Sequence, residues 1–204
     1  MRSLIHILAI SALLAGPGLT ATAQQLTQDP AQVSAATYTI DPAHTRVIFS
    51  VNHLGFSTYQ GTFPNAEGSL ALDPDDLSET ALDVTIDVAG VSTADPELDK
   101  HLRAEEFFDA DTYPTARFVS TKVERTGDNT ARITGDLTMK GVTRPVTLDA
   151  TFNQAGVNPV NERYTVGFDA SGVIKRSDFG VSAYVPFVGD EVMISIGSEF
   201  TLPE

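Results

Sequence analysis

The sequence predicts an all-β fold in which roughly eight or more antiparallel strands follow one another, with one short helix among them. From Tyr38 onward, apolar and polar residues alternate in stretches of roughly seven to eleven residues, the pattern of strands with one buried face. Clusters of Gly, Pro, Asp and Asn separate these stretches at residues 73–76, 127–129, 156–161 and 188–190. Such a chain forms either a closed up-and-down β-barrel of about eight strands or a β-sandwich.

A period of two marks each predicted strand. The alternation is clearest where Leu82, Val84 and Ile86 are separated by Asp and Thr residues. Comparable apolar sets lie within residues 47–51, 131–139, 146–152, 164–170 and 192–196, and weaker ones within residues 56–63, 66–73 and 115–124. Closing these strands into a barrel would remove the exposed edges at which long apolar strands aggregate.

One segment carries the signals of a helix. Asp95 can cap its first turn, Pro96 suits the first helical position, and Glu97 complements the helix dipole. Leu98 and Leu102 then share one face at helical spacing. We therefore expect a short helix beginning at Pro96.

Residues 1–23 have the order of zones that is typical of a secretory signal peptide. Arg2 gives a charged start, residues 4–16 form an apolar run (LIHILAISALLAG), and residues 21–23 (ATA) have the A-x-A form of a cleavage site. The apolar run of about thirteen residues is too short for a membrane-spanning helix, which needs ~20. We expect cleavage after Ala23, export to the periplasm, and a polar, flexible leader over residues 24–36 ahead of one folded domain over residues 37–204.

Charge and cysteine content narrow the class of protein further. The chain has 13 Lys and Arg residues against 27 Asp and Glu residues, and its formal net charge of −14 becomes −15 when Arg2 leaves with the signal. This balance disfavours binding to nucleic acid and stable association with anionic membranes. The sequence contains no cysteine, so we expect neither a disulfide nor a cysteine-linked lipid anchor, and the apolar core must stabilise the fold.

A series of short strings follows in order from Tyr38 to the C-terminus. They are residues 38–45 (YTIDPAHT), 49–53 (FSVNH), 61–63 (GTF), 99–102 (DKHL) with 107–109 (FFD) and 113–114 (YP), 135–146 (GDLTMKGVTRPV) and 176–180 (RSDFG). Together they resemble the YceI-like family of exported polyisoprenoid-binding proteins, and residues 135–146 are the most specific match. The sequence departs from the family pattern at Tyr38, where Trp is frequent, and at Val181, where Met is frequent.

The resemblance implies an extended, lipocalin-like antiparallel barrel over residues 37–204 with a long apolar cavity for an isoprenoid or similar long-chain lipid. That lipid would be bound without a covalent link, and no other cofactor is implied. Because the apolar sets of separate strands point towards one barrel axis, we expect them to line a tunnel. The expected lining is Val47, Phe49, Val51, His53, Leu82, Val84, Ile86, Phe118, Leu137, Met139, Leu148, Phe152, Phe168, Val192 and Ile194.

Three residues are candidates for contact with the head group of such a lipid. Arg144 or Arg176 at the barrel mouth would bind a polyprenyl phosphate through paired N–H donors. The alternative for each arginine is a structural ion pair that fixes a loop, for Arg176 with Asp178 or another carboxylate, and the many carboxylates of the chain favour this alternative. If both arginines are tied to carboxylates, a neutral, quinone-like head fits the acidic chain better, and His53 would supply its hydrogen bond. The acidic composition favours the neutral head.

The sequence gives little support to a metal site or to catalysis. His44, His53 and His101 could bind zinc together with Asp41 or Asp99, but no short-spaced ligand pair such as H-x-x-x-H is present. The chain has no thiol and no G-x-S-x-G motif that would supply a nucleophile. We therefore expect no metal ligands, no catalytic residues and no enzymatic activity.

Other classes of protein stay open at this point. One is an exported β-sandwich without a ligand, which would have a structural role or bind a partner. Another is an outer-membrane β-barrel, which is disfavoured because the chain ends in FTLPE without a terminal aromatic residue and contains no Trp. The sequence also leaves the oligomeric state open between a monomer and a homodimer.

Overall fold

The computed structural model describes residues 26–203, so the predicted signal peptide over residues 1–23 lies outside the described residues. Among residues 26–203, no helix is long and apolar enough to span a bilayer. The strands are β1 Ala36–Ile40, β2 Arg46–His53, β3 Ser57–Phe63, β4 Glu67–Leu72, β5 Ala81–Asp87, β6 Thr115–Arg125, β7 Thr130–Met139, β8 Val142–Val157, β9 Tyr164–Lys175 and β10 Val188–Thr201. The helix is α1 Pro96–Arg103.

The strands pair antiparallel in one sheet that closes on itself. Their order is β1-β4-β5-β6-β7-β8-β9-β10-β2-β3, and β1 also pairs with β10. β1 and β2 lie in succession along one edge of β10, where Thr39 is opposite Thr201 and Val51 is opposite Val192. β4 and β3 share the next position in the same way, because they pair with β1 and β2. The ring thus has eight positions, which confirms the predicted lipocalin-like barrel and shows that the sandwich alternative is wrong.

The loops gather at two ends of this barrel. The strap end consists of residues 26–35, the loop 73–80 and the turn 126–129. The helix end consists of residues 54–56, 88–114 and 176–187. Each end has its own apolar cluster, and residues from several strands and loops contribute to both.

The helix forms where the sequence predicts it. The Asp95 carboxylate accepts hydrogen bonds from the backbone N–H groups of Glu97 and Leu98, at 3.0 and 3.4 Å. A cap of this kind satisfies donors that have no partner within the helix. The segment after α1 then turns into the barrel, where Phe107 is buried in the apolar cluster of the helix end.

Residues 26–35, which we call the strap, contact the barrel, and this corrects the predicted flexible leader. Thr27 and Ala155 of β8 exchange two backbone hydrogen bonds, of 2.8 and 2.9 Å. Residues Pro30–Gln32 form a 3₁₀ turn capped by Asp29, and Val33 is buried. A short polar segment gives no periodic pattern, so the one apolar side chain that holds it against the barrel carries no signal in the sequence.

Candidate functional site

A cavity of about 170 Å³ lies inside the barrel towards the strap end. Its wall is apolar over nearly its whole surface and is built from inward-facing residues of successive strands. Part of the expected lining forms this wall: Val47, Leu82, Val84, Ile86, Phe118, Leu148, Phe152 and Phe168. The alternation of apolar residues therefore identifies the face of each strand that the cavity uses.

The cavity exists because three small side chains meet on neighbouring strands. Ala131 of β7 is opposite Ala150 of β8, and Ala150 is opposite Ala170 of β9. All three line the cavity. Larger apolar residues in this row would fill the space, because protein interiors otherwise pack to the density of organic crystals. The sequence interpretation did not include these alanines in the lining, although their inward positions in three predicted strands were visible.

The remaining expected lining residues lie beyond this space, towards the helix end, so the cavity is shorter than the predicted tunnel. Phe49, Val51, Leu137, Met139, Val192 and Ile194 belong to the packed cluster of the helix end. Loop residues complete this cluster, because Val88, Phe107 and Phe179 are buried against the strands. His53 lies exposed at the end of β2, with its ring centroid 6.0 Å from that of Tyr59.

Phe118 stands at the boundary between the cavity and the packed cluster. It lines the cavity and is also buried in the cluster, with 7% of its surface exposed. Its ring lies directly over Gly135 of β7, so that any side chain at that position would collide with it. The absence of a side chain at Gly135 thus makes room for the Phe118 ring between the cavity and the packed cluster.

The mouth of the cavity is at the strap end. Pro30 and Val33 of the strap, Pro74 and Leu77 of the neighbouring loop, and the turn around Asn129 surround it. Arg125, the last residue of β6, also lines the cavity. Its guanidinium donates hydrogen bonds to the carbonyl oxygens of Pro74 and Asp128, at 3.2 and 3.3 Å. The wall of the cavity at this opening is therefore apolar except for Arg125 and a few hydrogen-bonding groups, and the acidic residues of the loop 73–80 and the turn 126–129 lie outside the wall.

The sequence model of the YceI-like domain matches residues 38–200. The chain belongs to the YceI-like family. A UPF0312 protein of Photorhabdus laumondii is 42% identical over 168 residues, which cover 81% of this chain and 85% of the relative. A UPF0312 protein of Serratia proteamaculans is 40% identical over 184 residues, covering 89% of this chain and 94% of the relative.

Solved structures agree with this assignment. BcnA of Burkholderia cenocepacia is 30% identical, has a TM-score of 0.71, and is covered over 98% of its length by 78% of this chain. The YceI protein of Campylobacter jejuni is 32% identical with a TM-score of 0.67, at coverages of 75% of this chain and 90% of that protein. A polyisoprenoid-binding domain from Saccharophagus degradans has a TM-score of 0.64 at coverages of 81% and 98%, and at 13% identity it shows likeness of fold alone.

In this YceI-like barrel Arg176, one of the candidates for contact with the head group, lies buried at the helix end, away from the mouth of the cavity. Its guanidinium donates hydrogen bonds to the carbonyl oxygens of Gly189, Val181, Ala183 and Val188, at 2.8 to 2.9 Å. Burial lowers the pKa of Arg176, and the charge of Asp190 partly opposes this shift. Arg176 therefore has the structural role of fixing the loop before β10, through backbone carbonyl oxygens, and the carboxylate whose charge acts on it is Asp190 and not Asp178.

The other two head-group candidates also lie away from the cavity. Arg144 is exposed near the start of β8, where it donates a hydrogen bond to the carbonyl oxygen of Thr143 at 3.1 Å. His53 is exposed at the helix end of β2. The cation that lines the cavity is Arg125, which the sequence interpretation missed because Glu124-Arg125-Thr126 has the pattern of an exposed strand end.

Among residues 26–203, the side chains of His44, His53 and His101 are at least partly exposed. The Nδ1–H group of His44 donates a hydrogen bond to the Asp41 carboxylate at 2.9 Å, and Nδ1 lies 4.0 Å from the Glu199 carboxylate. The bond to Asp41 raises the pKa of His44. His101 is 3.2 Å from the Glu106 carboxylate. Asp41, His44 and Glu199 have the donor types of a metal site. The Asp41 carboxylate also stabilises the turn between β1 and β2, where it accepts a hydrogen bond from the Ala43 backbone N–H at 2.9 Å. The expectation of no metal stays a prediction.

Proposed function

We propose that this chain binds an isoprenoid-type lipid, with the apolar tail inside the barrel cavity, and that it carries this lipid in the periplasm without catalysing a reaction. The observation that supports the proposal is the apolar cavity formed around the row Ala131, Ala150 and Ala170. Burying a hydrocarbon chain there removes apolar surface from water, which contributes about 25 cal/mol of favourable free energy for each Å² buried. The Saccharophagus domain, which has a similar fold, is a polyisoprenoid-binding domain, and this is consistent with the proposed ligand class.

The size of the cavity limits how much of a tail it holds. An apolar cavity of about 150 Å³ is enough for a molecule the size of benzene. At about 170 Å³ the space accepts one or two five-carbon units in the present packing. Each unit contributes ~3–4 kcal/mol before ordering costs are subtracted, because a buried CH₂ contributes about 0.8 kcal/mol. We therefore expect affinity to rise over the first units and then to level off.

The binding proposal is tested with protein that is purified without detergent. Native mass spectrometry of this material is expected to show a bound lipid, and a series of prenols of increasing length is titrated after its removal. Ala150→Leu fills the space between Ala131 and Ala170 and is expected to weaken binding at least tenfold. Ala104→Leu adds the same group at an exposed position and serves as the control.

Absence of bound lipid together with equal, weak signals for short and long prenols would overturn the proposal. So would an Ala150→Leu variant that folds and binds as the wild type does. The proposed periplasmic site is tested separately, by fractionating cells and sequencing the N-terminus of the soluble protein. A mature chain that begins at Gln24 in the periplasmic fraction supports export, whereas an intact Met1 in the cytoplasm contradicts it.

A further inference from the structure

Arg125 crosses the mouth of the cavity and joins two loops. One nitrogen of its guanidinium donates to the carbonyl oxygen of Pro74 in the loop 73–80, at 3.2 Å. Another donates to the carbonyl oxygen of Asp128 in the turn 126–129, at 3.3 Å. Both distances are at or beyond the upper limit of ordinary N–H···O bonds, so these contacts are weak. The other N–H groups of Arg125 have no hydrogen-bond partner within residues 26–203, and they remain available to a ligand.

The charge around this arginine is strongly negative. The loop beside it contains Asp73, Asp75 and Asp76, and the turn on its other side contains Asp128. In the part of the chain that the structure describes, none of these carboxylates lies within ion-pair distance of Arg125. The side chains of Asp73 and Asp76 accept hydrogen bonds from backbone N–H groups of their own loop, at 3.0 to 3.2 Å.

Asp76 is the acid of this loop whose charged form is favoured by hydrogen bonds within the loop. The hydroxyl and the backbone N–H of Ser78 both donate to Asp76 and lower the pKa of its carboxyl group. Asp75 and Asp128 are exposed to water. The opening therefore has one guanidinium with four acidic residues in the adjoining loop and turn: Asp73 and Asp76 accept hydrogen bonds from their own loop, and Asp75 and Asp128 are exposed. A phosphate placed against Arg125 would gain one cation and face several anions.

We propose that Arg125 binds the head group of the lipid and selects an uncharged oxygen acceptor, the hydroxyl or carbonyl of a prenol-like or quinone-like head, over a phosphate. This inference rests on the proposed function. A neutral oxygen accepts hydrogen bonds from the guanidinium and is not repelled by the carboxylates around the opening. Hydrogen bonds from a charged donor are stronger than those between neutral groups. Tight phosphate sites instead combine several cations or backbone donors, whereas among residues 26–203 Arg125 is the basic residue that lines the cavity.

The test compares three probes that share one ten-carbon prenyl tail: the hydrocarbon, the alcohol and the alcohol monophosphate. In the wild type, the alcohol is expected to bind about tenfold more tightly than the hydrocarbon and at least tenfold more tightly than the phosphate. Arg125→Met retains the apolar stem and is expected to reduce alcohol binding to the level of the hydrocarbon. Arg132→Met, on the outer face of β7 and paired with Asp149, is the matched control and is expected to change neither value.

A double variant tests the effect of the acidic residues around the opening. The double variant Asp75→Asn/Asp128→Asn removes two negative charges near Arg125. It is expected to bind the phosphate several-fold more tightly than the wild type at low salt, and this difference should shrink at high salt, which screens the charges. The hydrocarbon separates the two claims, since it senses the tail alone. If the hydrocarbon fails to bind to the wild type, the proposed function is wrong. If it binds but Arg125→Met leaves the advantage of the alcohol intact, or if the wild type prefers the phosphate, the role assigned to Arg125 is wrong.

Discussion

The two ends of this barrel are built from the same strands but are filled differently. At the strap end, Ala131, Ala150 and Ala170 meet on three neighbouring strands and leave a cavity. At the helix end, Phe107 and Phe179 enter from loops and fill the space between the same strands. Inward-facing residues are apolar at both ends. Alternation of apolar residues therefore identifies the inner face of a barrel, while side-chain size and the loops decide whether the inside is empty.

The arginines at the two ends also differ, because one has all its nitrogens hydrogen-bonded to the backbone and the other does not. At the helix end, Arg176 is 7% exposed, and each nitrogen of its guanidinium donates to a backbone carbonyl oxygen. At the strap end, Arg125 is exposed and its two hydrogen bonds are long. One arginine stabilises a closed structure, and the other has donors left for a ligand. The following predictions test this division, from the largest expected effect to the smallest.

Arg176→Met is expected to have the largest effect. The substitution removes the donors of four backbone carbonyl oxygens at the helix end, and each buried acceptor left without a partner costs roughly 1–3 kcal/mol. We expect the free energy of unfolding, measured in urea, to fall by about 3 kcal/mol or more. Arg132→Met removes an exposed pair and should cost less than about 1 kcal/mol. Equal losses in the two variants would show that Arg176 does not hold the helix end together.

An identical substitution in each end compares the packing directly. Ala116 is buried in the cluster of the helix end, with 5% exposure, and Ala150 lines the cavity, with 7% exposure. Ala116→Leu should lower the free energy of unfolding by about 1–3 kcal/mol, because added methyl groups in a packed core force neighbours to move. Ala150→Leu should change it by less than about 1 kcal/mol, because the new side chain enters empty space. A larger loss at Ala150 than at Ala116 would contradict the difference in packing.

Much of the fold follows from the sequence, and the reasons are specific. Alternation in residues 47–51, 82–88 and 192–196 predicts strands that the structure contains, and the cap at Asp95 predicts α1. Closure of the barrel depends on β10, which pairs with β9 on one edge and with β1 and β2 on the other. No local pattern contains that long-range pairing. The resemblance to the YceI-like family supplied it.

The site was predictable in part. The inward face of each strand was visible, but the depth at which the interior stops being packed was not, since Phe107 and Phe179 lie in loops whose paths no period reveals. Arg176 lies in a segment that resembles the family pattern, which made it a candidate for the head group, yet its N–H groups donate to backbone carbonyl oxygens. Arg125 carries no motif, and it reaches the cavity because β6 ends at the mouth. The inward-facing alanines of β7, β8 and β9 could have predicted where the cavity lies, because small side chains on adjacent strands leave space inside a barrel.

Tyr38 makes the strap end sensitive to alkaline pH. Its hydroxyl is fully buried and donates a hydrogen bond of 2.6 Å to the Ser34 carbonyl oxygen, and its ring stacks on Tyr164 at 6.2 Å. Burial and then the charge of Tyr164 raise the pKa of Tyr38 from 10.0 to about 12. An unfolded chain loses this proton near pH 10 while the folded chain keeps it, so stability should fall as pH rises through the window from 10 to about 12.

Tyr38→Phe is expected to remove most of this dependence. At neutral pH the variant should lose about 1 kcal/mol, because the Ser34 carbonyl oxygen loses a donor. Urea unfolding measured across the alkaline window should then fall less steeply in the variant than in the wild type. A parallel decline in both proteins would show that other groups cause the alkaline loss.

Asp29 is expected to have the smallest effect, and one confined to the strap. Its carboxylate accepts hydrogen bonds of 3.1 Å from the Ala31 backbone N–H and from the Gln32 side chain, and so holds the 3₁₀ turn over the cavity mouth. Removing a capping side chain costs about 0.5 kcal/mol at the low end of its range, and Asp29→Ala should therefore open the strap roughly two- to threefold more often.

Hydrogen exchange measures this opening, because the Thr27 and Ala155 amides pair with each other only while the strap is closed. Both amides should exchange two- to threefold faster in Asp29→Ala, and a bound ten-carbon prenol should leave faster by a similar factor while amides of the helix end keep their rates. Asp111→Ala, at an exposed position of the helix end, should alter none of these rates. Unchanged exchange at Thr27 would mean that Asp29 does not hold the strap. Faster exchange with unchanged prenol release would mean that the lipid does not leave past the strap, and that the cavity opens elsewhere.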